Sequence, residues 1–183
     1  MTTPPPVEET VTALARRYRL ELDMGTTGTP SWSLVPGITE FTPAVEPTHQ
    51  EVTTYDEEGW GEHAVTKLDW TVELTLAHRA HPETGQFNAA QEALRRASRS
   101  FGVASYVHVR YFDRNGADDA YEGRALVTWE PDGGSPEDVD TISVTLTGSG
   151  MLREIENPVA AGAGTLASVT PLAKATSTGK EAA

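Results

Sequence analysis

The sequence contains no cysteine, which excludes disulfide staples, thiolate nucleophiles and cysteine-ligated zinc together. Long apolar runs are also missing. The longest extend a few residues, far short of the roughly 20 that carry a helix across a bilayer, and no membrane insertion by the chain is expected. The opening stretch MTTPPPVEET lacks the basic and apolar regions of a signal peptide, so folding in a cytoplasm is expected. Basic side chains are scarce, with 14 Lys and Arg against 27 Asp and Glu and a formal net charge of −13. Phosphate binding is driven by Lys and Arg releasing counterions, so a grip on nucleic acid is not expected. The plain reading of the acidity is solubility.

Catalytic signatures are equally sparse. His49, His63, His78, His81 and His108 do not place two ligands and a carboxylate on one element, and the pair His78 and His81 falls at a strand end, not on a helix. The acids Asp56, Glu57, Glu58 and Glu62 lack the alternating Asp pattern and glycine of a calcium loop. Gly25-Thr-Thr-Gly28 and Gly148-Ser-Gly150 match neither a dinucleotide nor a P-loop fingerprint and read as turns. No G-x-S-x-G elbow is present. The expectation is a protein that is not an enzyme, with no catalytic residue, no metal and no cofactor.

What is present is a chain of 183 residues, the size of one domain with extensions. Pro4 to Pro6 mark residues 1–17 as an extended arm. Alternation begins at Tyr18, Leu20, Leu22 and Met24, the period of a half-buried strand, and resumes over residues 31–36 and 38–42. Residues 43–63 mix prolines, acids and aromatics with little periodicity and read as a long functional loop. The stretch 65–79 is the clearest strand, with Leu68, Trp70, Val72, Leu74 and Leu76 on one face and Lys67, Asp69, Thr71, Glu73 and Thr75 on the other.

Between residues 86 and 101 the apolar positions Phe87, Ala90, Leu94, Ala97 and Phe101 recur at helical spacing, and Gly102 follows as a stop. Three further strands are predicted at 104–112, 120–130 and 141–148, joined by Gly- and Asp-rich turns. In the last, Ile142, Val144 and Leu146 alternate with hydroxylated residues. Residues 157–183 are rich in Ala, Gly, Thr and Ser, a composition that builds no core of its own. The predicted core is Trp32, Leu68, Trp70, Val72, Leu74, Phe87, Leu94, Trp129, Val144 and Leu146. Trp60, set between two glycines in the acidic loop, has no core phase and reads as an interface anchor.

Several phrases in order, Trp32-Ser-Leu-Val-Pro-Gly37 with Phe41, Gln50 to Asp56 with Gly59-Trp60, Val65 to Leu76, Asn88 to Ser100, Tyr121 to Ala125 and Val144 to Gly150, make residues 18–157 resemble the major tail proteins of siphoviruses. The resemblance implies a mainly β domain over 18–156 with one helix, a tail-tube type of β-sandwich or barrel. Its strands would join a ring-wide inner barrel. Six copies would close each ring, and rings would stack into a tube conducting DNA. It further implies a loop at 43–63, with Tyr55, Asp56, Glu57, Glu58 and Trp60, that reaches the adjacent ring.

Asp69 and Glu73 become candidates for an acidic lumen that repels phosphate. The implied partners are further copies of the chain, a tape measure protein in the lumen, tail terminator and distal tail or baseplate proteins, and double-stranded DNA in passage. The implied location is the virion tail, assembled in the host cytoplasm. The competing expectation is a carbohydrate- or receptor-binding β-sandwich of a phage tail tip, which would be a stable monomer with an aromatic platform.

Overall fold

The computed structural model describes residues 15–26, 28–52 and 60–160. A single turn of 3₁₀ helix, Ala15–Arg17, leads into β1 (Tyr18–Asp23). Strands β2 (Trp32–Leu34), β3 (Ile38–Glu51) and β4 (His63–Ala77) follow, then helix α1 (Ala89–Ala97). After a short 3₁₀ turn at Gly102–Ser105 come β5 (Tyr106–Asp113), β6 (Ala120–Pro131), β7 (Thr141–Gly148) and β8 (Arg153–Glu154). The fold is mainly β, as its period-two alternation predicts.

All eight strands belong to one antiparallel sheet in the order β2-β1-β5-β6-β7-β4-β3, with β8 also paired to β6. β8 continues the lane that β7 vacates. Residues 125–131 of β6 pair with β7, whereas Tyr121 and Glu122 pair with β8, so the chain swings out of the sheet over 149–152 and returns. The sheet curls until its two ends face each other through side chains. Phe41 of β3 lies 5.2 Å from the Tyr18 ring of β1 and 5.6 Å from Tyr111 of β5, centroid to centroid. Burial pushes the pKa of the enclosed Tyr111 hydroxyl strongly upward.

The concave face holds the core, in which Leu20, Leu22, Trp70, Val72, Leu74, Leu76, Val109, Val144 and Leu146 are buried. Helix α1 covers part of it with Ala90, Leu94 and Ala97. The helix is shorter than the apolar spacing predicts. The Asn88 side chain accepts hydrogen bonds from the Ala90 and Gln91 amides and caps the first turn. Phe87 therefore lies before the helix, is 39% exposed, and stacks on His78 at 3.8 Å. At the other end the backbone amides of Arg99 and Ser100 donate to carbonyls three residues back, and Phe101 falls outside the helix altogether.

Two further positions in the predicted core differ. Trp32 faces the opposite side of the sheet from Leu20 and Leu22, because it pairs with Asp23 and Leu34 pairs with Glu21. There it packs under the Arg110 guanidinium at 4.4 Å and beside His108. Leu68 has the inward phase but is 65% exposed, since β7 pairs with β4 only from Thr71 onward and the core stops there. Trp129 is partly buried against the core.

The predicted loop at 43–63 is largely strand. β3 and β4 pair from Ile38↔Leu76 to Glu51↔His63, and Val52 closes on Glu62 by a backbone bond of 2.9 Å. Pro43 and Pro47 obscured this in the sequence. They share one phase of the alternation, so both missing N–H groups belong to one edge, and the free edge of an outermost strand tolerates that.

The turn between β5 and β6 gathers both ends of the domain. Arg17 pairs with Asp119 at 2.8 Å and Asp113 at 3.3 Å. Burial and a hydrogen bond to Asp119 together push the Tyr18 pKa up. Asn157, the first residue of the stretch read above as building no core of its own, is buried and donates to the carbonyls of Asp113 and Ala117.

Candidate assembly interface

The strand registers define two ends of the molecule. One carries the β3–β4 hairpin, the end of β7 at Gly148 and the β5–β6 turn; the other carries Ala77, Thr141 and Pro131, while β5 starts at Tyr106 opposite Leu126 in mid-sheet. The hairpin extends past the sheet at the first end. Residues 63–70 of β4 pair only with β3, and among the described residues β3 has a partner on one edge alone. Backbone N–H and C=O groups along such edges pair readily with another chain.

The hairpin is exposed on both faces. Beyond Trp70 its side chains include Val45, Val65 and the 65% exposed Leu68 on the apolar side, and Trp60 just past the tip is 80% exposed. The described residues of its own chain leave that large aromatic ring uncovered. Tyr55, Asp56, Glu57 and Glu58 lie outside the described residues.

The convex face of β3, β4, β7 and β6 is hydroxylated and acidic. Glu73 lies between Thr42 and Thr145, Thr71 beside Thr147, and Thr75 between Glu40 and Ser143. On β6, Thr128 and Glu130 extend the same row. Asp69 is opposite Glu46 and pairs with Lys67 at 2.8 Å, both side chains being at least half exposed. The sequence signal for this face is the hydroxylated alternate phase of β7, Ser143, Thr145 and Thr147.

Among the described residues no group of three or more His, Asp or Glu side chains is arranged to hold a metal, and no helix is long and apolar enough to cross a membrane.

The same arrangement of strands and helix occurs in solved structures. A chain of the SPP1 tail tube superposes with a TM-score of 0.61 at 16% identity, covering 87% of this chain and 88% of that one. The chain has a tail-tube fold. A chain from the tail of an empty gene transfer agent particle, refined helically with six-fold symmetry, gives 0.59 at 12% identity, over 79% of this chain and 99% of that one. A chain of the anti-feeding prophage baseplate gives 0.54 at 11% identity, over 79% and 96%. No family model and no curated protein matches the sequence. At these identities the tail-tube likeness speaks for architecture, and the exposed hairpin and open edges supply the independent physical observation.

Proposed function

We propose that the protein is a structural subunit of a phage tail tube, self-associating into six-membered rings that stack around a channel for DNA, with no catalytic role. The observation that carries this reading is the overhanging β3–β4 hairpin. Its free edge and exposed apolar side chains are costly for a solitary chain and are satisfied when a neighbouring copy continues the sheet. Six copies are favoured by the six-fold symmetry of the gene transfer agent tail.

In this reading the convex face of β4 and β7 lines the channel. Glu73, Asp69, Glu40 and Glu130 give it negative charge, while the threonines offer neutral hydroxyls that bind phosphate weakly. Duplex DNA then slides without adhering, an effect confined to charges within about 8 Å of the strand at physiological salt. Lys67 is held by Asp69, which offsets its positive charge. The domain would comprise residues 18–156, with 1–17 and 157–183 as extensions. Partners would be a tape measure protein in the channel and terminator and distal tail proteins at the ends. The mature location would be the virion tail, after assembly in the host cytoplasm.

Negative-stain electron microscopy of the purified protein tests the reading directly. Hollow tubes or six-fold rings are expected; a monodisperse monomer at every concentration and salt condition would overturn it.

A further inference from the structure

Two apolar surfaces are left uncovered, one beside the β3–β4 hairpin and one at the corner after α1. The first is a groove of 600 Å³ lined by Val45, Leu68, Trp70, Tyr121, Met151 and Leu152. It exists because the chain leaves the β7 lane after Gly148, and because the hairpin overhangs the gap. The second is the corner where α1 ends. Phe101 is 95% exposed and Val103 is 89% exposed, and Gly102 between them takes a left-handed φ of 63° that turns the chain sharply.

The surroundings of the two differ in charge. From 46 to 69 the sequence has acids at 46, 51, 56, 57, 58, 62 and 69, and Lys67 is its one Lys or Arg. The corner follows Arg95, Arg96 and Arg99; Arg95 is held by Glu92, and Arg96 and Arg99 are exposed.

We propose that Phe101 and Val103 of one copy seat in the Leu68 groove of the next copy, with Arg96 and Arg99 toward its acidic hairpin. The corner precedes β5, whose first residue Tyr106 pairs with Leu126 in the middle of β6, and within the chain Phe101 stays exposed and does not fill the groove. A contact between two unlike surfaces of identical molecules is heterologous; it closes into a ring where its rotation closes and otherwise repeats along an axis, the case that stacking requires. The charge complementarity selects a second copy over an apolar segment of the same chain. The inference rests on the tube reading and names the surfaces that join successive rings.

A photo-crosslinker tests it. Chains carrying p-benzoylphenylalanine at position 101 are assembled with an excess of ¹⁵N-labelled wild-type chains, so that tubes form regardless of the probe, and irradiated. Cross-links are expected to the labelled tryptic peptides Leu68–Arg79 and Ala125–Arg153, which hold Leu68 and Met151. Cross-links to the labelled peptides Leu20–Lys67 or Asn115–Arg124, which hold the groove residues Val45 and Tyr121, also support the seat; cross-links confined to the probe's own chain, or to labelled peptides outside these four, overturn the proposal and leave the tube reading intact. Wild-type chains that form no tubes overturn the tube reading, and this inference with it. As an independent arm, Phe101→Ser should weaken stacking by about tenfold or more in critical concentration, while a folded monomer with an unchanged circular dichroism spectrum is retained; unchanged stacking counts against the seat.

Discussion

The indole of Trp70 lies directly over Gly148, so close that a Cβ on the glycine would overlap it. The ring also crowds Gly123 on the next strand, where an added Cβ would meet Trp70 at 2.6 Å, and its N–H donates to the Gly150 carbonyl at 2.9 Å. Gly148 is thus required for space, since it has no positive φ. The tryptophan closes the core where β7 leaves the sheet. Gly148→Ala should destabilise the monomer by about 1–3 kcal/mol through overpacking, measured as a lower midpoint in urea. An unchanged midpoint would mean that the ring relocates freely.

Leu74 and Leu68 share one phase of β4 and differ in cover, being 3% and 65% exposed. Leu74→Ala should cost about 2–5 kcal/mol as a core cavity. Leu68→Ala should stay within about 0.5 kcal/mol of wild type in the monomer yet reduce assembly, compared by denaturation and sedimentation of the same preparations.

Trp60→Ala should leave thermal unfolding of the monomer unchanged while shortening or abolishing tubes, because its exposed ring has no partner to lose within its own chain among the described residues. Tubes of normal length from this variant would remove Trp60 from the inter-ring contact.

Asp69 and Glu73 are proposed to face the channel. Asp69→Lys with Glu73→Lys should preserve the fold, since both side chains are exposed, and should slow DNA delivery from assembled particles more at low salt than at high salt. Delivery at the wild-type rate at every ionic strength would take these two residues off the channel wall.

Asp23 couples the β1–β2 turn to pH. Burial works to raise its pKa, but the Ser31 and Gly25 amides, each donating to the same oxygen at 2.8 Å, and the nearby His108 outweigh it, and the pKa is lowered. A depressed carboxylate contributes stability that is present above the unfolded value of 3.8 and lost as pH falls through the folded one. The melting temperature should therefore drop below about pH 4 by more in wild type than in Asp23→Asn. Parallel acid profiles would show that this turn does not contribute.

Period-two alternation and one helical stripe were legible in the residues themselves, because backbone geometry converts them directly into strands and a helix. That reading extended to the buried phases of β4 and β7 and to the exposed state of Trp60. What the alternation could not convey is cover. Trp32 and Leu68 sit on well-formed strands, yet one faces the convex side and the other overruns the core, and only the order and stagger of distant strands decide that. Phe87 and Phe101 fit the helical spacing, but the Asn88 cap and the loosened last turn leave both outside the helix. The prolines at 43 and 47 hid a long strand because their tolerance depends on being at an edge, a property of the assembled sheet. Composition alone determined a cysteine-free, acidic chain, and alternation a mainly β one. The tertiary structure decided which of its apolar side chains are left facing outward, since burial arises from what packs across the sheet and not from the chain's own neighbours in sequence.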